Sequence, residues 1–118
     1  MCRTRAGGAT LAARLIPVSQ LPSGVRVQAG VATGRDLRGV RRNRRRRQLL
    51  EAFRQEALPL LEGGLDDLPH DRAVIVMVLD GPPARRSYGK VLQRELSQAI
   101  PVLTRRLHES LQPETPPN

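Results

Sequence analysis

Eight of the thirteen residues from position 35 to 47 are arginine. A run of guanidiniums cannot be buried without partners, so any fold of this chain must carry most of that segment on its surface and build its core elsewhere. The strongest core signal is Ala73-Val74-Ile75-Val76-Met77-Val78-Leu79, the longest uncharged apolar run. It is far shorter than the roughly 18 residues of a membrane span. Its β-branched character is that of a central strand buried on both faces. At 118 residues the chain has the length of one domain. Hydrophobic residues make up 39% of it, which together with ten glycines falls in the ordinary globular range and excludes a wholly disordered chain.

Punctuation by proline and glycine divides the rest. Residues 1–10 are small and basic and read as loose. Their acid-free composition is shared with organellar transit peptides, but no helical apolar stripe accompanies it. Residues 11–16 read as a short edge strand, and Pro17, Pro22, Ser23 and Gly24 as a loop. Residues 25–31 alternate with period two, as a half-buried strand does, and the two strands together suggest a hairpin. Asp36 is placed to cap a helix over 37–57, which Pro59 should terminate. Residues 61–72 read as loop by composition. Ser87 is placed to cap a last helix with Tyr88, Val91, Leu92, Leu96, Ala99, Leu103 and Leu107 on one stripe, kinked or divided by Pro101. The tail from 112 to 118 reads as frayed. Strand, strand, helix, strand, helix gives a small α/β sandwich with helices packed on a sheet.

Charge is distributed as unevenly as structure. Residues 1–54 hold thirteen arginines against Asp36 and Glu51, a net of +11, whereas 55–118 hold seven bases against nine acids, a net of −2. This asymmetry points to a polyanion-binding face. On a helical wheel Arg38, Arg41, Arg42, Arg45 and Arg46 fall on one face. Like charges so arranged repel by a few tenths of a kcal/mol per neighbouring pair, which a row of phosphates would relieve. Toward the end of the helix Leu49, Leu50, Phe53 and Ala57 take over as an apolar stripe, anchoring its second half. Phe53 reads as core. With Phe53 and Tyr88 the only aromatics, recognition by base stacking is disfavoured and backbone or shape recognition favoured.

Protein-based catalysis finds little support. Cys2, His70 and His108 are too scattered for a zinc site, and Cys2, the only cysteine, excludes an internal disulfide. Asp66, Asp67 and Asp71 offer oxygen ligands for a divalent ion, though a solvated acidic loop is the simpler reading. His70, His108 and Lys90 are of the right types for acid, base and phosphate clamp in RNA cleavage, but their spacing does not support it. There is no phosphate-binding glycine loop with its lysine and no nucleophile elbow. No signal peptide is evident, and the chain reads as cytosolic.

The segment Arg42-Asn43-Arg44-Arg45-Arg46-Arg47-Gln48-Leu49-Leu50-Glu51-Ala52-Phe53-Arg54 closely resembles the RNR helix of the protein subunit of bacterial ribonuclease P, R-N-R-x-K/R-R-x-x-R-E-A-F-R. Every motif position matches except Leu50, where that family usually has arginine. Thr33-Gly34-Arg35 stands where the family has Ser-Lys-Lys, and Gly39-Val40 where it has Ala-Val. Downstream, residues 71–79 resemble the strand written Y-D-L-V-V-I-A-R, and Ser87-Tyr88 opens the final helix as in the family. The resemblance spans roughly residues 10–110, with one specific motif and weaker ones in the right order.

This resemblance implies a two-layer α/β (α+β) sandwich whose small mixed sheet contains a left-handed βαβ crossover. It also implies a ribonucleoprotein endoribonuclease in which this chain is not the catalyst. A catalytic RNA subunit, holding Mg2+, removes the 5′ leader of precursor tRNA. The protein binds that RNA and the leader, without a membrane or protein partner and without a metal site of its own. By matching position, Arg42, Asn43, Arg44, Arg46 and Arg47 would face RNA, joined by Arg35, Arg38, Arg41 and Arg45 from the basic stretch. Thr33, Arg35 and Phe53 would lie at the leader cleft. The family's first helix, with its Phe-x-x-Phe pair, has no counterpart here, which implies weaker leader binding or a start upstream of Met1. The runner-up is a basic structural RNA-binding protein, ribosomal or similar, with no role in cleavage. A protein-only nuclease using His70 and His108 is a third reading.

Overall fold

A computed structural model describes residues 1–34, 37–80 and 89–111. Strand β1 (Cys2–Ala6) turns through Gly7 and Gly8 into β2 (Ala9–Pro17), with Ala6 paired to Ala9. Gly7 has φ +63°, the left-handed conformation that glycine adopts without strain and that a two-residue hairpin turn requires. The first ten residues are therefore mostly strand rather than loose. After a loop come β3 (Val27–Ala32) and helix α1 (Gly39–Ala52). A π-helical turn, Phe53–Ala57, leads into α2 (Leu58–Gly64), and β4 (Arg72–Leu79) and α3 (Gly89–Ser110) complete the chain.

The sheet order is β1-β2-β4-β3, with β1–β2 and β2–β4 antiparallel and β3–β4 parallel. The apolar run is thus the interior strand its composition suggested. The expected hairpin between the second and third strands does not form, because both flank β4 instead. Their side chains explain this: Leu11 and Ala13 on β2 and Val74, Val76 and Val78 on β4 are all fully buried on one face. Placing β4 in the centre buries both of its edges, a non-local pairing that local alternation does not reveal. The helices lie on that one face. Leu49 and Phe53 from the α1 end, Leu61, and Leu92, Leu96, Ile100, Leu103 and Leu107 from α3 join the strand residues in a single core. The molecule is a two-layer α+β sandwich.

Two prolines behave differently from expectation. Pro59 does not end the helical path. The amide of Leu58 donates to the carbonyl of Phe53, five residues back. This wider turn gives room for a ring that would otherwise strike the carbonyl four residues before it. Helix α2 consequently runs to Gly64 and a 3-10 turn follows at Leu65–Asp67, where a plain loop was expected. Pro101 sits inside α3, which continues across it for 22 residues undivided. Leu92, Leu96, Ala99, Leu103 and Leu107 form the buried stripe, joined by Ile100, whereas Val91 is 58% exposed. The caps expected of Asp36 and Ser87, and the contribution of Tyr88, lie outside the described residues.

Candidate nucleic-acid interface

Helix α1 begins with Arg38 at its N-cap in extended conformation, making no side-chain capping bond, and has no acid in its first turn. Its N-terminus carries the positive end of the helix dipole, equivalent to about half a charge, and no first-turn acid offsets it. Arg41, Arg42, Arg44, Arg46 and Arg47 and the amide of Asn43 are all exposed along the next two turns, as is Arg38. Among the described residues none of these arginines takes part in an ion pair. The helix packs against β3 and α3, but its buried face is narrow: Arg45, Leu49 and Ala52, at spacing i, i+4, i+7, followed by Phe53.

Arg45 thus departs from the expected RNA-facing stripe. Its residue is only 7% exposed. Its Nε donates to Asp80 Oδ2 at 2.8 Å and its Nη2 to Asp80 Oδ1 at 3.0 Å, a two-pronged fork on one carboxylate. Asp80 is itself fixed at the end of β4, where its amide donates to the Ala32 carbonyl at 2.9 Å. The wheel explains the error. Arg45 lies inside the stripe, between Arg41 and Arg38 on the wheel, in line with the buried Leu49 and Ala52, so this part of the stripe points inward. The other four remain exposed, and Arg44, Arg47 and Asn43 occupy the outer side. The face that presents charge is broader than the stripe and is turned away from Arg45. The continuation of Arg45 into Leu49 and Ala52 was the readable signal, and Asp80 directly after the apolar strand was the missed partner.

Of the three residues assigned to a leader cleft, the two that are described do not share a surface. Phe53 is fully buried in the core, which corrects its placement in the cleft. Thr33 follows β3, half-buried, with its Oγ1 buried and, among the described residues, lacking a hydrogen-bond partner. Arg35 lies outside the described residues. The second face of the sheet carries Thr10, Ala12, Arg14 and Ile16 of β2 beside Leu79, Met77, Ile75 and Ala73 of β4. Met77 lies over Gly30, where a Cβ would meet its sulfur at 2.7 Å.

Asp66, Asp67 and Asp71 are exposed, and among the described residues no three His, Cys, Asp or Glu side chains converge as metal ligands. His70 is exposed ahead of β4, His108 is half-buried in the last turn of α3, and Lys90 is exposed in its first turn. Among the described residues no helix is long and apolar enough to cross a membrane. No protein-family model, curated protein or solved structure matches the chain.

Proposed function

We propose that this chain is the protein subunit of a ribonuclease P. In that reading it binds the catalytic RNA and the 5′ leader of precursor tRNA and assists endonucleolytic removal of the leader in the cytoplasm. The observation that carries the proposal is the outer face of α1, where exposed guanidiniums, without an ion pair among the described residues, and Asn43 stand at the spacing of the RNR motif. Each guanidinium offers a planar fork to phosphate oxygens, and each contact releases a condensed counterion. No proton transfer is asked of the protein. Hydrolysis is the work of Mg2+ held by the RNA, and the chain's own task is to neutralise and position phosphates. The connection from β3 through α1 and α2 to the parallel neighbour β4 is where the resemblance implies a left-handed crossover.

One observation favours the runner-up, a basic structural RNA-binding protein. Phe53, which the resemblance assigns to the leader cleft, is sealed in the core and presents nothing to a single strand. Gel-shift titration against ribonuclease P RNA and a ribosomal RNA fragment of equal length, at near-physiological salt, separates the two. Preference for ribonuclease P RNA is the expected result, and equal affinity for both RNAs would favour the runner-up.

A further inference from the structure

A second group of cationic side chains sits at the opposite edge of the sheet from α1. Residues 1–34 contain Arg3, Arg5, Arg14 and Arg26 and not one acid. On β1, Cys2 and Ala6 pack against the core, so by strand alternation Arg3 and Arg5 stand on the opposite, helix-free face, opposite Ala12 and Thr10. They are two residues apart on one strand, hence about 7 Å along it. From α3, Arg106 reaches the edge strand and donates through Nη1 to the carbonyl of Arg3. Arg3, Thr4, Arg5, Thr10 and Arg106 line an open groove of about 530 Å³ with no acidic residue in its wall among the described residues. Among the described residues neither Arg3 nor Arg5 has an ion-pair partner.

We propose that this edge groove is a second phosphodiester-binding site, taking the backbone of a separate segment of the same folded RNA that α1 binds. The inference rests on the RNA-binding reading of α1. Three guanidiniums and two hydroxyls supply donors for non-bridging phosphate oxygens and nothing that discriminates bases. Among the described residues no aromatic side chain lines the groove, which favours contact to the backbone over base stacking. β1 and β3 are separated by three strand spacings, about 14 Å, and α1 packs on the β3 side. One phosphate cannot serve both patches at that separation, whereas two segments of a folded RNA can. The protein would then act as a clamp across the sheet rather than as a single docked helix.

The test is the salt dependence of binding to unfractionated transfer RNA, used as a folded polyanion, for the full chain and three variants: Arg3→Ala/Arg5→Ala, Arg42→Ala/Arg46→Ala, and all four together. Each pair should flatten the log–log slope by about 1.4–1.8, and the quadruple variant by the sum. A flattened slope for the α1 pair alone, with the edge pair unchanged, overturns the second site and leaves the reading of α1 intact. Unchanged slopes for both pairs overturn the RNA-binding reading itself. Loss of binding to anionic lipid vesicles by the edge pair, with its RNA slope unchanged, would assign the groove to a membrane surface and also overturn the proposal. Both edge side chains are exposed, so thermal unfolding should be unaltered. If the alanine pair fails to fold, Arg5→Gln alone should still flatten the slope by about half the pair's change.

Discussion

Asp80 is the residue whose loss says most about how α1 is held. Asp80→Ala removes the carboxylate that accepts both Nε and Nη2 of Arg45, where the two side chains are only 8% and 7% exposed. The guanidinium cannot neutralise by losing its proton, so a buried charge loses its counterion. Breaking one side of such a pair costs about 3–5 kcal/mol. For a domain of this size that corresponds to a fall in Tm of about 10–20 °C. Arg45→Leu should be similarly damaging because it leaves the carboxylate buried. Arg45→Leu/Asp80→Ala should recover much of the loss, since replacing both charges with apolar groups is often neutral. A double-mutant cycle by thermal and denaturant unfolding should therefore show a coupling energy of at least about 2 kcal/mol. Binding gives the second readout. Where Arg45→Leu remains folded, its RNA salt slope should equal that of the unaltered protein, because Arg45 neutralises Asp80 and not a phosphate. Refutation would be Arg45→Leu with normal stability and a slope flattened by about 0.7–0.9, as for a phosphate contact.

Phe53→Ala should cost about 3–5 kcal/mol by opening a cavity at a fully buried site, and denaturant unfolding measures this. Any folded fraction should keep the unaltered salt slope, since the ring has no surface to offer RNA. Gly7→Ala should destabilise by about 1–3 kcal/mol in the same assay, because the left-handed backbone disfavours a side chain. The new Cβ would also overlap the Glu95 carboxylate, which accepts the Gly8 amide at 3.2 Å. Gly24→Ala, at φ +83° with nothing within 4 Å of the added atom, should cost less and serves as the control.

What could be read in the sequence was what local chemistry determines. The β-branched run became β4, the alternating stretch became β3, and the stripe through Leu92, Leu96, Ala99, Leu103 and Leu107 became the buried face of α3. The hairpin at the start carries a local signal of its own. Gly7-Gly8 between alternating small and basic residues is a turn signal, outweighed by the scarcity of large apolar groups around it. Pairing of β2 and β3 with β4 rather than with each other is a tertiary choice set by which faces can be buried together. Within the basic stretch, charge alone predicted exposure, and it did so for every described arginine except Arg45. That exception needs Asp80, thirty-five residues away, and no local pattern supplies such a partner. The passage through Pro59 likewise depends on a π-helical turn that lets Phe53 and Ala57 reach the core.

Reconstituted cleavage tests the central claim most directly. Precursor tRNA and a bacterial ribonuclease P RNA in millimolar magnesium and low salt should lose leader slowly without the protein and faster with it, giving tRNA with a 5′-phosphate. The protein alone should leave the substrate intact. No acceleration at any protein concentration, or cleavage by the protein alone that His70→Ala or His108→Ala abolishes, would contradict the assignment.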